Sequence, residues 1–458
     1  MLLCATMSRT LFGTDGVRGR ANEGNMTPEV AFRLGAALTY QARARVKHRP
    51  RLLIGKDTRV SGYLFEYALS SGICSMGGKV MLTGPLPTPA VAHLTQSMRA
   101  DAGIVISASH NPYFDNGLKV FGPDGFKLPD ESEAELERLM DSDELVKARS
   151  SGMHIGTAER IDSAKGRYVQ FVKSTFASNM TLDGLRIVVD AAHGAAYAVA
   201  PLVFRELGAE VHSVGVRPNG KNINADCGAV HPEHCASQVK RHRADIGIAL
   251  DGDADRVVFV DERGTEVNGD AILALCATRM LRKGVLRKRT AVATVMSSIG
   301  LERALTREKG KLLRVGVGDR YVVEAMRSRG LAFGGEQSGH LVFLDHATTG
   351  DGLIAALQVL EIVLREQRPL SELVAEVIEH VPQVLVNLTL KAKKPLDELP
   401  KTSACIRKVE HELDGDGRVL VRWSGTEPKL RILVEGPDDK RINELAQDIA
   451  ATAQVELG

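Results

Sequence analysis

The chain has 458 residues, 44% hydrophobic and 25% charged, a globular composition whose length asks for three or four domains at roughly 100–200 residues each. A formal net charge of +2 gives no broad field, so nucleic acid and anionic membrane surfaces are not expected partners. No apolar stretch approaches the length needed to cross a bilayer, and MLLCATMSRT is too short for a signal peptide (Met7 is an equal candidate for the start), so a soluble protein is expected.

In chain order, a helix-like segment over 28–45 runs into a basic stretch, Arg43 to Arg51, which reads as a solvated helix end and loop. RLLIGKDTR (51–59) follows as a buried strand with a polar turn, then helical texture over 63–76. AGIVISASHNP (102–112), LRIVVDAAHGAA (185–196) and ADIGIALDGDADR (244–256) repeat the pattern of an apolar run ending in a polar or Gly-rich turn. Inner strands of α/β sheets read this way, with function at their carboxyl ends. Ser132 and Glu135 suggest a capping box opening ESEAELERLM. Residues 146–160 lose apolar periodicity and suggest a linker, and a second break falls near 258–268. Helical texture recurs over 196–207, 270–283 and 351–366. After about 375 the sequence turns to strands and one last helix, which suggests a small α+β domain. The cysteines at 4, 74, 227, 235, 276 and 405 are scattered, as expected of reduced thiols in the cytoplasm.

Four constellations carry chemistry. Asp251, Asp253 and Asp255 alternate with small residues after IGIAL, and such closely set carboxylates suit a hard divalent cation that offsets their repulsion. The full EF-hand pattern fails, because Arg256 stands where the sixth-position glycine belongs. Ser109, in SASHNP, sits at the end of a buried run where a nucleophile is well placed; a helix-cap or turn serine is the other reading. Lys119, shortly after, suits phosphate binding or proton transfer, or is an exposed lysine. In GGEQSGH (334–340), Glu336 and Ser338 would point the same way from an extended segment and grip vicinal hydroxyls, unless the segment is a plain hairpin turn. Arg422, Ser424, Gly425 and Thr426, with Arg431 after them, make a candidate phosphate nest. Gly215–Lys221 matches GxxxxGK, but Asn222 stands where a P-loop needs Ser or Thr, and adjacent His234 and Cys235 argue against a zinc site with Cys227 and His231.

LFGTDGVRG (11–19), GKDTR (55–59), SASHNP, DGDADR, GGEQSGH and R-SGTEP (422–428) follow one another in the order characteristic of the α-D-phosphohexomutase superfamily, which the chain resembles over most of its length. Within it, FGTDGVRG, SASHNP, VGDRYV (317–322) and EQSGH are similar to the branch acting on glucosamine phosphates. The resemblance implies an α/β fold of three related α/β domains with mixed sheets plus a smaller C-terminal α+β domain, around a central active-site cleft. The expected divisions are 1–160 with the phosphoserine, 161–260 ending in the metal loop, 261–375 with the sugar-recognition loop, and 376–458 for phosphate binding. It implies a covalent phosphate on Ser109 and one Mg²⁺ held by Ser109, Asp251, Asp253 and Asp255. Arg18 and Arg256 would lie near the transferring group, with Lys119 and His340 as acid/base candidates. Glu336 and Ser338 would read the sugar, while Arg422, Ser424, Gly425, Thr426 and Arg431 would hold the idle phosphate, with Trp423 pointing outward. The implied reaction interconverts glucosamine 6-phosphate and glucosamine 1-phosphate, with a sugar bisphosphate as intermediate or activator. Small-molecule sugar phosphates are the expected partners, and a homodimer is compatible. Preference for glucose or mannose phosphates, or a non-catalytic sugar-phosphate-binding regulator on the same fold, are the alternatives.

Overall fold

The apolar runs become inner strands covered on both faces, which is why they show no alternation. Ala102–Ile106 and Ile246–Leu250 are buried at every position. The computed structural model describes residues 11–13, 15–390, 393–423 and 429–457, and four sheets form among them. The first takes the order Val17–Arg20, Asp115–Phe121, Ala102–Ile106, Arg51–Lys56, Lys79–Pro85, Thr157–Arg160. The second runs Glu266–Val267, Val257–Val260, Ile246–Leu250, Arg186–Asp190, Glu210–Val214, so it reaches past residue 260. In the third, Lys311–Val315, Thr290–Thr294, Phe333–Gly335 and Leu341–Phe343 lie side by side. A last sheet, Gln383–Thr389, Lys429–Glu435, Arg418–Trp423, is antiparallel throughout. Three mixed α/β sheets and a smaller α+β unit are thus the fold class expected.

One substructure recurs in all three mixed sheets. A strand pairs in parallel with an earlier one, then turns back through a polar loop into an antiparallel neighbour. Ala102–Ile106 does so into Asp115–Phe121, Ile246–Leu250 into Val257–Val260, and Phe333–Gly335 into Leu341–Phe343. The three loops so formed carry SASHNP, DGDADR and EQSGH. Equivalent positions in three related units therefore present a hydroxyl, a carboxylate cluster and a sugar-binding candidate.

Helix Pro28–Arg45 starts as its sequence predicts, with Pro28 in the first turn and Thr27 Oγ1 accepting from Val30 N. The capping box at Ser132 is not formed. That helix spans Asp130–Met140 with Pro129 as N-cap, so Ser132 lies inside the first turn, and Glu135 pairs with Arg138 instead. Asp351 caps Gly352–Glu366 by accepting from Leu353 N and Ile354 N, while Tyr168 Oη donates to its Oδ2 at 2.9 Å. One hydrophobic cluster runs from Leu53 to Val377 and joins the first three units; helix Ala164–Ser174 contributes Tyr168, Val169 and Val172 to it. The C-terminal unit has its own cluster, from Leu390 to Ala453. Buried Glu435 ties the two together, accepting from Ile299 N at 2.9 Å and pairing with Arg418 at 2.6 Å.

Candidate active site

Ser109 follows the buried strand Ala102–Ile106 and is 1% exposed, with φ +53°. Its amide donates to Ser107 Oγ at 2.9 Å, and Ser107 Oγ donates to Asp57 Oδ2 at 2.6 Å. The Ser109 hydroxyl donates to Asp251 Oδ2 at 2.6 Å, although the two are 142 residues apart. The nucleophile candidate and the acidic loop therefore meet. His110 Nδ1 lies 3.3 Å from the same hydroxyl, and burial, with Arg256 and Arg18 nearby, pushes its pKa down to about 4.

Carboxylate oxygens of Asp251, Asp253 and Asp255 lie within 4.8 Å of one another, all buried. Asp253 Oδ1 and Asp255 Oδ1 have no hydrogen-bond partner among the described residues. Buried carboxylate oxygens without donors are costly, and hard oxygen ligands are what a divalent cation takes, so these residues fit such an ion. Burial, reinforced by Asp255 and Asp253, drives Asp251 well above the ordinary carboxylate value. Burial acts the same way on Asp255, but Lys119, His340 and Arg256 overcome it and hold that carboxyl well below.

Lys119 comes from the returning strand Asp115–Phe121 and is 1% exposed. Its Nζ donates to Asp253 Oδ2 at 2.9 Å and Asp255 Oδ2 at 3.3 Å, and lies 3.2 Å from Asp15 Oδ2. Burial alone would discharge it; Asp15, Asp253 and Asp255 outweigh burial and keep it charged. Arg18 stands on the edge strand Val17–Arg20, paired with Asp15, and Arg256 directly follows the acidic loop. Neither Arg18 Nε nor Arg256 Nε has a hydrogen-bond partner among the described residues. His340 is buried with Nδ1 3.9 Å from Asp255 Oδ2, and Gly350 N donates to its Nε2 at 3.2 Å. Burial opposes its protonation, yet Asp255, Asp319 and Glu336 raise its pKa.

Asp15, Arg18, Asp255, Arg256 and His340 line one cleft of about 740 Å³, together with Gly318, Asp319 and Glu336, and Ser109 and Lys119 reach it through their contacts with the acidic loop and Asp15. Glu336 is buried, and its Oε1 accepts from Gly318 N at 3.1 Å. The segment is a turn, closed by Gly339 N donating to Glu336 O at 3.0 Å, rather than extended. Ser338 consequently lies exposed while Glu336 faces inward. Arg422 and Arg431 are cross-strand partners in the C-terminal sheet, and Arg422 Nη2 reaches Met296 Sδ at 3.7 Å. Burial and Arg431 together lower the Arg422 pKa. Neither arginine is among the described residues that line the cleft, and Ser424, Gly425 and Thr426 lie outside the described residues. Trp423 is not the outward side chain expected. It packs against the C-terminal core, with Nε1 donating to Lys394 O at 2.6 Å.

Sequence reading missed four members. Asp15 sits between Lys119, Lys127 and Arg18, and Lys127 pairs with both Asp15 and Asp319 across two units. Thr88 Oγ1 donates to Asp253 Oδ2 at 2.6 Å. Asp15 and Asp319 lay inside the quoted LFGTDGVRG and VGDRYV segments, a signal that was available; Lys127 and Thr88 gave none.

Profiles of the four domains of the phosphoglucomutase/phosphomannomutase family match this chain in order: domain I over 9–147, domain II over 166–264, domain III over 268–381 and the C-terminal domain over 385–452. The chain belongs to that family. A relative from Sorangium cellulosum, a phosphoglucosamine mutase, is 61% identical over 98% of this chain and 94% of its own length. Among solved structures, a phosphoglucomutase/phosphomannomutase family protein from Burkholderia thailandensis has the same fold, with TM-score 0.80 and 24% identity over 97% of both chains. The Aspergillus fumigatus N-acetylphosphoglucosamine mutase, solved in complex with GlcNAc-6P and magnesium, is similar at TM-score 0.68 and 18% identity, over 98% of this chain and 96% of that one.

Proposed function

We propose that the chain is an isomerase, an intramolecular phosphotransferase that interconverts glucosamine 6-phosphate and glucosamine 1-phosphate, feeding UDP-N-acetylglucosamine and cell-wall precursor synthesis in the cytoplasm. The observation that carries this reading is the 2.6 Å hydrogen bond from Ser109 Oγ to the acidic loop, in a chain 61% identical to a phosphoglucosamine mutase. Ser109 bears a phosphoryl group and yields it to the C1 hydroxyl of glucosamine 6-phosphate. The bond from phosphorus to Ser109 Oγ breaks as the bond to O1 forms. The resulting 1,6-bisphosphate turns within the cleft, and its 6-phosphoryl group returns to Ser109, which releases glucosamine 1-phosphate.

Asp251, Asp253 and Asp255, with an oxygen of the Ser109 group, would hold one Mg²⁺; when bound, it supplies positive charge against the phosphoryl oxygens. Arg18 and Arg256 add fixed cationic charge beside the acidic loop. Lys119, kept charged, and His340 are the candidates for carrying the proton from the sugar hydroxyl to the departing Ser109 oxygen. Glu336 and Ser338 read hydroxyls shared by the two sugar poses, and Arg422, Ser424, Gly425, Thr426 and Arg431 hold the idle phosphate. The separate core of the C-terminal unit supports a movement that closes this phosphate site over the cleft. In this reading the four units divide the work at about 160, 260 and 375, the second carrying on past 260 to its edge strand Glu266–Val267. A homodimer is compatible with this reading, and Val60, Tyr63, Tyr67 and Phe114 are among the exposed apolar side chains.

Ser109→Ala is expected to lower kcat by at least about a thousand-fold while sugar-phosphate affinity stays within about threefold. Intact mass should show one added phosphate on the parent protein and none on the variant. Near-normal mutase rates in Ser109→Ala refute the phosphoserine. Comparing kcat/KM on glucosamine, glucose and mannose phosphates tests the substrate, and a preference for either neutral sugar overturns that part.

A further inference from the structure

The left-handed φ of Ser109, +53°, is a conformation that L side chains adopt at a cost, so something around it has to hold it there. Its amide side is fixed by Ser107, but the carbonyl side is gripped more firmly. Ser109 O accepts from Arg59 Nη2 at 2.9 Å and from Asn224 Nδ2 at 2.9 Å. Two residues on, Asn111 O accepts from the same two donors, at 2.8 Å and 3.1 Å. Arg59 also takes Pro112 O, and its Nε pairs with Asp57 Oδ2 at 2.8 Å.

Arg59 belongs to the same unit as Ser109, whereas Asn224 arrives from the second, on the loop between Glu210–Val214 and Pro232–His242. Asn224 is itself left-handed at φ +57°, a region asparagine tolerates better than most residues, and its amide N donates to Ala192 O at 2.9 Å. Its side chain is buried, and its Oδ1 receives no hydrogen bond among the described residues. The orientation of that amide is therefore set by the two carbonyls it serves. It lies against the acidic loop as well: a Cβ placed on Gly252 would stand 2.9 Å from Asn224 Nδ2 and 2.5 Å from Ser109 O.

Resting on the reading of Ser109 as phosphoryl carrier, we infer that Asn224 is a positioning residue for the transfer: its amide holds the Ser109 and Asn111 carbonyls turned from the cleft and so aims Oγ at Asp251. Without it, Arg59 alone holds the two carbonyls, and the Ser109 peptide can shift toward negative φ, which swings the hydroxyl off the acidic loop. Sugar contacts assigned to Glu336 and Ser338 are untouched by that change. The deficit falls on kcat.

Asn224→Gly removes the amide while keeping left-handed freedom, and Asn224→Asp keeps the shape while replacing the donors by a carboxylate. In the full-length enzyme both are expected to lose about tenfold or more in kcat, with KM for glucosamine 6-phosphate within about twofold and a melting temperature that falls, further in Asn224→Asp, but stays above the assay temperature. The ³¹P resonance of the enzyme-bound phosphate should also move. A kcat within about twofold of the parent in both variants overturns the inference, as does a loss that follows the fraction of folded protein. Ser109→Ala, measured alongside, separates the failures. Turnover kept there sinks the phosphoserine reading, whereas turnover lost there but kept in both Asn224 variants sinks the positioning role alone.

Discussion

Lys119→Met takes an ammonium from among three carboxylates while keeping most of the side chain's volume. The parent contacts are 2.9 Å to Asp253, 3.3 Å to Asp255 and 3.2 Å to Asp15, around a lysine 1% exposed. Removing one member of a buried ionic network leaves its partners uncompensated and costs about 3–5 kcal/mol. That is a factor of roughly 10² to 10⁴ in the folded-to-unfolded ratio. A divalent cation held by Asp251, Asp253 and Asp255 would restore part of the lost charge, so stabilisation by added magnesium should be larger in the variant than in the parent. Urea unfolding of both proteins, with a chelator and then with magnesium, measures the two effects. A variant within about 0.5 kcal/mol of the parent in chelator, or equal stabilisation of both by magnesium, would refute the electrostatic argument.

Gly252→Ala places a Cβ 2.5 Å from Ser109 O, a backbone atom that yields only if the two loops part. A shift of that size is expected to cost about a hundredfold in kcat, read by steady-state kinetics, together with weaker binding of divalent cations by calorimetry. Arg422→Gln should raise KM for the sugar phosphate roughly 10- to 100-fold, the worth of one charge-assisted contact, without lowering the melting temperature, since Arg422 and Arg431 repel each other. Asp351 titrates near pH 6 because burial raises it, so its folded pKa exceeds its unfolded one. Stability from this group is fully present below about pH 4 and is lost as pH rises through 6, by about 3 kcal/mol. Urea midpoints across pH 4 to 7 should show that slope in the parent and a flatter profile in Asp351→Asn, which keeps a helix-capping side chain.

The strands were the most legible part of the sequence, because an inner strand covered on both faces is an unbroken apolar run, as in Ala102–Ile106 and Ile246–Leu250. The loops after them stood out because dense small and polar residues have few other uses at such a place. Local hydrogen-bonding detail was less readable. Ser132 does not cap because the helix already begins at Asp130, after an extended Pro129, which leaves Ser132 with helical backbone. Glu336 and Ser338 diverged because Gly339, at φ +87°, closes a turn that reverses the chain between them and the next strand. Trp423 is half-buried against the C-terminal cluster, where a three-stranded sheet with two helices is short of apolar area. Lys127 and Thr88 were invisible for another reason. Each gains its meaning from a partner more than 100 residues away, and a single Lys or Thr in a sequence carries no trace of that.

The near-complete enclosure of Ser109 decides who can act on it. At 1% exposure and held against Asp251, the hydroxyl is poorly placed for the catalytic centre of another protein, which needs several residues of extended chain around its target. If Ser109 carries a phosphoryl group, as proposed, a donor that suits such an enclosure is a small metabolite, and how many copies are primed would follow the supply of that metabolite.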